Sequence, residues 1–125
     1  MKKYRELNGL EKKILDKLLE RDFPGREEIK DQINNSKVRV IDEYGDDWGS
    51  IEFKTNSHKS AKVESRVPVQ ALVNDTDGIL VEIFLHVVKG FIDELEIVKA
   101  DNSPLKAKIS PEKMKVELYS EIKKG

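Results

Sequence analysis

The chain has no cysteine, which excludes disulfides and thiolate metal sites and fits a reducing compartment without requiring one. Long apolar runs are also missing: no stretch approaches the ~18 residues of a membrane-spanning helix. The lysines of the opening MKKYRELNGLEKK have no continuous apolar segment behind them, so no secretory signal is expected there. A net charge of one sign is lacking too. It stands at −1, so no overall field favours nucleic acid or anionic membrane. Histidine occurs at 58 and 86 alone, which leaves no histidine pair at metal-ligand spacing. These absences lead to the expectation of a soluble cytoplasmic protein with no cofactor and neither nucleic acid nor membrane as partner.

What is present is a core wrapped in charge. Hydrophobic and charged residues each make up 38% of the 125 residues, the latter well above the ~25% average. The length suits one domain, 1–125. Asn8 followed by Glu11 reads as a reciprocal helix cap. Leu10, Ile14, Leu15, Leu18 and Leu19 then share one face of a helix expected over Gly9–Arg21. Phe23-Pro24-Gly25 stops it. A shorter helix, Arg26–Asn34, offers Ile29 and Ile33 to the core.

From Lys37 the period becomes two. Val38 and Val40 mark a first strand, Asp42–Asp47 an acidic loop, and Ile51, Phe53 and Thr55 a second strand. Trp48 is either a core plug at the sheet edge or an exposed anchor for a partner, and the high average burial of large aromatics favours the core. Val63, Val67, Val69, Ala71 and Val73 line a third strand, with a bulge or edge expected at Pro68. Asn74–Gly78 is a turn, and Ile79–Val98 forms two long strands folded at Lys89-Gly90. In the tail, Ser110-Pro111-Glu112 resembles a helix start, yet Met114, Val116 and Leu118 alternate. A final helix and a short strand are both open.

The hairpin at Lys89-Gly90 can close in two ways. A two-residue loop sets Val88 against Phe91 and carries Glu96 opposite Ile83 and Glu94 opposite Leu85. A turn with Gly90 left-handed in a bulge sets Val87 against Phe91, so that Val81, Ile83, Leu85 and Val87 share a face with Phe91, Leu95 and Ile97. Asp93 alone is then misplaced. A lone buried carboxylate is costly, so this closure is expected. The turn at Asn74–Gly78 keeps the parity, with Val73 beside Ile79 and Val69 near Ile83. Odd-numbered residues thus build an apolar face. The even face collects Arg66, Gln70, Glu82, Phe84, His86, Ile92, Glu94 and Glu96, with Glu82 expected opposite Glu96.

That even face is either a solvated outer surface or a binding surface in which Phe84 and the carboxylates meet a basic partner. The candidate binding residues are Arg66, Glu82, Phe84, His86, Glu94 and Glu96. Catalytic and metal patterns are weak. One imidazole beside carboxylates on flat strands is unspecific, no serine sits on a Gly-x-Ser-x-Gly elbow, and Gly45–Gly49 is no phosphate cradle. The spacing of the Asp42–Asp47 run does not suit a helix-flanked calcium loop.

Several short motifs carry a resemblance: Arg5-Glu6-Leu7, Phe23-Pro24-Gly25, Arg66-Val67-Pro68-Val69, His86-Val87-Val88 with Gly90, and Glu94-Leu95-Glu96-Ile97. From about Tyr4 to Pro104 the chain resembles an uncharacterised family of small bacterial proteins, a domain of unknown function. The hairpin ending Gly90–Glu96 is also similar to bacterial toxin-immunity proteins. That second resemblance implies a single-domain inhibitor with a toxin as its protein partner, rather than an enzyme. The expected fold is α+β: two N-terminal helices on a mainly antiparallel meander sheet of about five strands. A small metal-dependent enzyme using His86 and neighbouring glutamates is the alternative, as is an assembly protein using the sheet edge near Pro68 or Trp48.

Overall fold

The computed structural model describes residues 2–45 and 47–123. Asp46, part of the acidic run, and Lys124, at the end of the lysine-rich tail, lie outside the described residues. Two helices, α1 (Gly9–Leu18) and α2 (Arg26–Asn34), precede β1 (Ser36–Gly45), β2 (Trp48–Thr55), β3 (Val69–Asn74), β4 (Leu80–Val88) and β5 (Phe91–Lys99). A 3₁₀ turn, Pro111–Lys113, leads into β6 (Lys115–Leu118) and a one-turn α3 (Tyr119–Ile122).

The fold is α+β with an antiparallel sheet, as expected, but the sheet has six strands in the order β1-β2-β5-β4-β3-β6. It is not a simple meander. β5 inserts beside β2, where Ile51 meets Leu95 and both side chains are fully buried. The long segment between β2 and β3 therefore carries the chain past the places of β5 and β4. The tail supplies the sixth strand: Leu118 pairs with Val69 and Val116 with Ala71. Alternation thus decides the tail before α3 turns it, so the helices are not all N-terminal.

α1 carries the expected cap. Asn8 Oδ1 accepts from the Glu11 N–H at 2.9 Å, and the Asn8 N–H donates back to Glu11 Oε1 at 2.9 Å. The helix ends at Leu18, short of Arg21, where Leu19 leaves helical geometry ahead of the Phe23-Pro24-Gly25 turn. The third strand is shorter than expected as well. Its ladder begins at Val69, directly after Pro68, which has no N–H to donate. The acidic run, by contrast, is largely strand. β1 continues through two bulges to Gly45, and they leave Ile41 exposed.

The β4–β5 hairpin closes with the two-residue loop and not with the expected bulge at Gly90 that would set Val87 against Phe91; its bulge lies further along β5. Lys89 and Gly90 both have positive φ, +52° and +85°, as a two-residue type I′ loop requires. Val88 pairs with Phe91 and Val87 with Ile92. The ladder then slips between His86 and Val87, leaving Asp93 as the extra residue, so that Leu85 meets Leu95 and Ile83 meets Ile97. This corrects four expectations. Ile92 is buried rather than on the open face, Phe91 is only half-buried, Asp93 points to solvent, and Glu82 pairs with Val98 rather than Glu96. β3 is likewise two residues from its expected register, with Val73 against Val81 and Val69 against Leu85. A slip of two preserves which face each side chain occupies and changes its partners.

One buried side chain holds the bulge. Gln32 on α2 is fully buried; its Nε2 donates to Gly90 O at 2.9 Å and Lys59 O at 2.6 Å, and its Oε1 accepts the Ile92 N–H at 2.9 Å. α2 therefore gives the interior more than Ile29 and the half-buried Ile33. The core lies between the two helices and the apolar face of the sheet, where Ile14, Leu15, Leu18 and Ile29 join Val38, Ile51, Ile83, Leu85 and Leu95. Trp48 is buried at the start of β2, one strand in from the sheet edge.

Candidate functional site

The face of the sheet away from the helices is built by strand alternation. One cross-strand row runs Arg39–Glu52–Glu94–His86 over β1, β2, β5 and β4. A second runs Glu96–Phe84–Gln70–Glu117 over β5, β4, β3 and β6. The sheet thus brings Phe84, His86, Glu94 and Glu96 together, while Glu82 stands apart in a third row between Val98 and Leu72.

Most charges in these rows have partners. Arg39 pairs with Glu52, and the Arg39 guanidinium lies over the Tyr4 ring, 4.5 Å from its centroid. Gln70 Nε2 donates to Glu117 Oε1 at 3.1 Å. Arg66 reaches in from the segment before β3 and donates from Nε to His86 Nδ1 at 3.3 Å, with Asp93 3.9 Å from its guanidinium. Because that contact needs an unprotonated Nδ1, the His86 proton sits on Nε2, which donates to Glu96 Oε1 at 2.8 Å. Both ring nitrogens are therefore engaged. Among the described residues no group of three or more His, Asp or Glu side chains converges to hold a metal ion.

Glu94 differs from its neighbours. It is half-buried between Glu52 and His86, and among the described residues it has neither a hydrogen-bond nor an ion-pair partner. Burial, and then the charge of Glu96, push its carboxyl above the ordinary glutamate value. Arg39, Glu52 and Tyr4 were missed by sequence reasoning. Extending strand parity to β1 and β2 would have placed the first two.

A second ionic cluster, also missed, lies at the far end of β5. Lys99 falls on the core-facing parity of Leu95 and Ile97 and is buried. Its Nζ donates to Asp75 Oδ2 at 2.9 Å, Asp77 Oδ2 at 2.6 Å and Pro104 O at 3.2 Å. Asp75 also accepts the Lys106 N–H at 2.7 Å and the Thr76 N–H at 2.8 Å. The Lys106 N–H, joined by the Lys99 ammonium, holds the Asp75 carboxyl down to about 2. Burial opposes the Lys99 charge, but Asp77 and Asp75 outweigh it and raise its pKa. The sequence signal was a lysine on an apolar parity downstream of a turn with two aspartates.

The family model for Domain of unknown function (DUF6984) matches residues 4–109. The chain belongs to this family. No curated protein and no solved structure matches it. The match to DUF6984 extends to Ile109, beyond the Pro104 expected from sequence, and stops before β6 and α3. Two of the motifs that carried the resemblance have structural roles here. Arg5 grips Glu11 with two bonds of 2.8 Å and Asp47 with another of 2.8 Å, tying the N-terminal segment to α1 and the β1–β2 turn. Gly25, at φ +91°, lets the 61–63 segment pass so closely that a Cβ would lie 2.9 Å from Val63 Cγ1. Among the described residues no helix is long and apolar enough to cross a membrane.

Proposed function

We propose that this DUF6984 domain is a binding module that presents its open sheet face to a basic protein partner. The observation that carries this reading is Glu94, a half-buried carboxylate beside Glu96 and His86 that has no ion-pair or hydrogen-bond partner among the described residues. A lysine or arginine from a partner would supply the missing counter-charge, and Phe84 would lie against its aliphatic stem. The role we propose for such a module is a cytoplasmic immunity protein that neutralises a bacterial toxin, a reading that rests on the Gly90–Glu96 motif in the sequence alone.

The test is affinity capture from the source cell with the wild-type chain and with Glu82→Lys/Glu94→Lys. The wild type is expected to retain one basic protein, and the double variant to bind it at least about tenfold more weakly, with circular dichroism unchanged. An immunity role further requires that the captured protein arrest growth when expressed alone and that co-expression of this chain restore it. Equal retention by the folded double variant would exclude the acidic face.

A further inference from the structure

Beside the Lys99 cluster a cleft of about 390 Å³ opens between the ends of β3 and β4 and the segment 105–113. This lies within the ~300–1,000 Å³ range of small-molecule sites. Val73 and Val81 from the sheet and Leu105 and Ile109 from the covering segment form the apolar part of its floor, and Asn74, Thr76 and Ser110 add polar groups to the lining. Its lining also carries Lys108 and Lys113, neither of which has an ion-pair partner among the described residues. The one carboxylate in the lining, Asp75, has both oxygens occupied: Oδ2 by the Lys106 N–H and by Lys99, which it shares with Asp77, and Oδ1 by the Thr76 N–H. The contacts of Lys99 with Pro104 and of Asp75 with Lys106 also clamp the covering segment to the β3–β4 turn, so the cleft is largely preformed.

We infer that this cleft binds a small amphipathic organic anion, its apolar body on the Val73, Val81 and Ile109 floor and its carboxylate or phosphate held by Lys108 and Lys113. The two ammoniums select a negative head, and the floor rejects a purely polar one. None of the open-face candidates lines the cleft, so it stands apart from the proposed protein-binding surface.

Titration of the ¹⁵N-labelled protein with octanoate and with octyl phosphate tests this by amide shifts. At least one ligand should give saturable shifts centred on Thr76, Lys108, Ser110 and Lys113. Lys108→Glu/Lys113→Glu removes the head-group site, and Ala107→Phe fills the cleft while keeping its charge. Each should weaken binding by about tenfold or more, with the amides of Ile83 and Leu85 unmoved. Unchanged affinity in either variant would overturn the assignment. So would no saturable shift with either ligand up to about 10 mM, the range of very weak fragments, or shifts centred on the groove of about 400 Å³ between α1 and α2 at Leu15, Leu19 and Ile33. Octanol or inorganic phosphate binding as tightly as the amphipathic anions would overturn it equally.

Discussion

Lys99 and Glu94 both stand on β5, and the sheet treats their charges in opposite ways. Lys99 is buried and meets two carboxylates and a carbonyl, while Asp75 opposite it takes two further backbone N–H groups. Glu94 is half-buried, flanked by Glu52 and His86 in its row, and has no ion-pair partner among the described residues. A buried charge surrounded by donors and acceptors fixes chain geometry, here the β3–β4 turn against the segment after β5. A partly desolvated charge left without a partner weakens its own fold slightly and favours an incoming cation. One strand therefore carries both a structural ion cluster, at Lys99, and the proposed binding surface, at Glu94.

The contrast can be broken most forcefully at Lys99. Lys99→Met strands the buried Asp75 carboxylate and is expected to lower the melting temperature by about 10 °C or more, followed by circular dichroism. Adding Asp75→Asn should recover part of the loss. A single variant that melts like the wild type would make the cluster dispensable.

Acid acts on the same end more gently. The Asp75 carboxyl titrates at about 2 in the folded chain, against an ordinary value of 3.8. Its stabilisation is thus fully present above about pH 4 and is lost as pH falls through about 2. Urea midpoints measured between these limits should fall more steeply in the wild type than in Asp75→Asn; parallel curves would remove Asp75 as the source.

The smallest effect belongs to Glu94, and its sign is reversed. A carboxyl whose folded pKa is raised binds its proton more readily in the folded state, so its ionised form costs stability at neutral pH. After solvent screening, Glu94→Gln should gain a few tenths of a kcal/mol at pH 7, and the gain should vanish in acid below the carboxylate range. A loss at pH 7 in urea denaturation would mean that Glu94 already has the counter-charge denied to it here.

Period-two alternation made the two faces of the sheet legible before any partner was known. Val69, Ile83, Leu85, Leu95 and Ile97 all lie on the core side, and Phe84, His86, Glu94 and Glu96 on the other. Partners were not legible, because closures that differ by two residues give the same faces. Asp93 was the clue that neither simple closure fitted, and a bulge two residues beyond the loop resolves it. Strand order was hidden for a different reason: nothing local in Trp48–Thr55 says that its neighbour is Phe91–Lys99. The Lys99 cluster was overlooked because polar residues on an apolar parity are usually strand ends, and here the strand end is folded over by residues 101–106.

Gln32 has a consequence for how the hairpin finds its alignment. Its carbonyl oxygen accepts the Ile92 N–H across 60 residues of sequence, while its amide grips the turn at Gly90. A hairpin that slipped by two residues would keep every side chain on its proper face, so hydrophobic burial alone discriminates poorly between the two. It would, however, present this buried amide with the wrong backbone group, and an unsatisfied buried amide costs about 1–3 kcal/mol. The second helix thus works as a gauge of register: only one alignment of the hairpin gives the Gln32 amide all its partners.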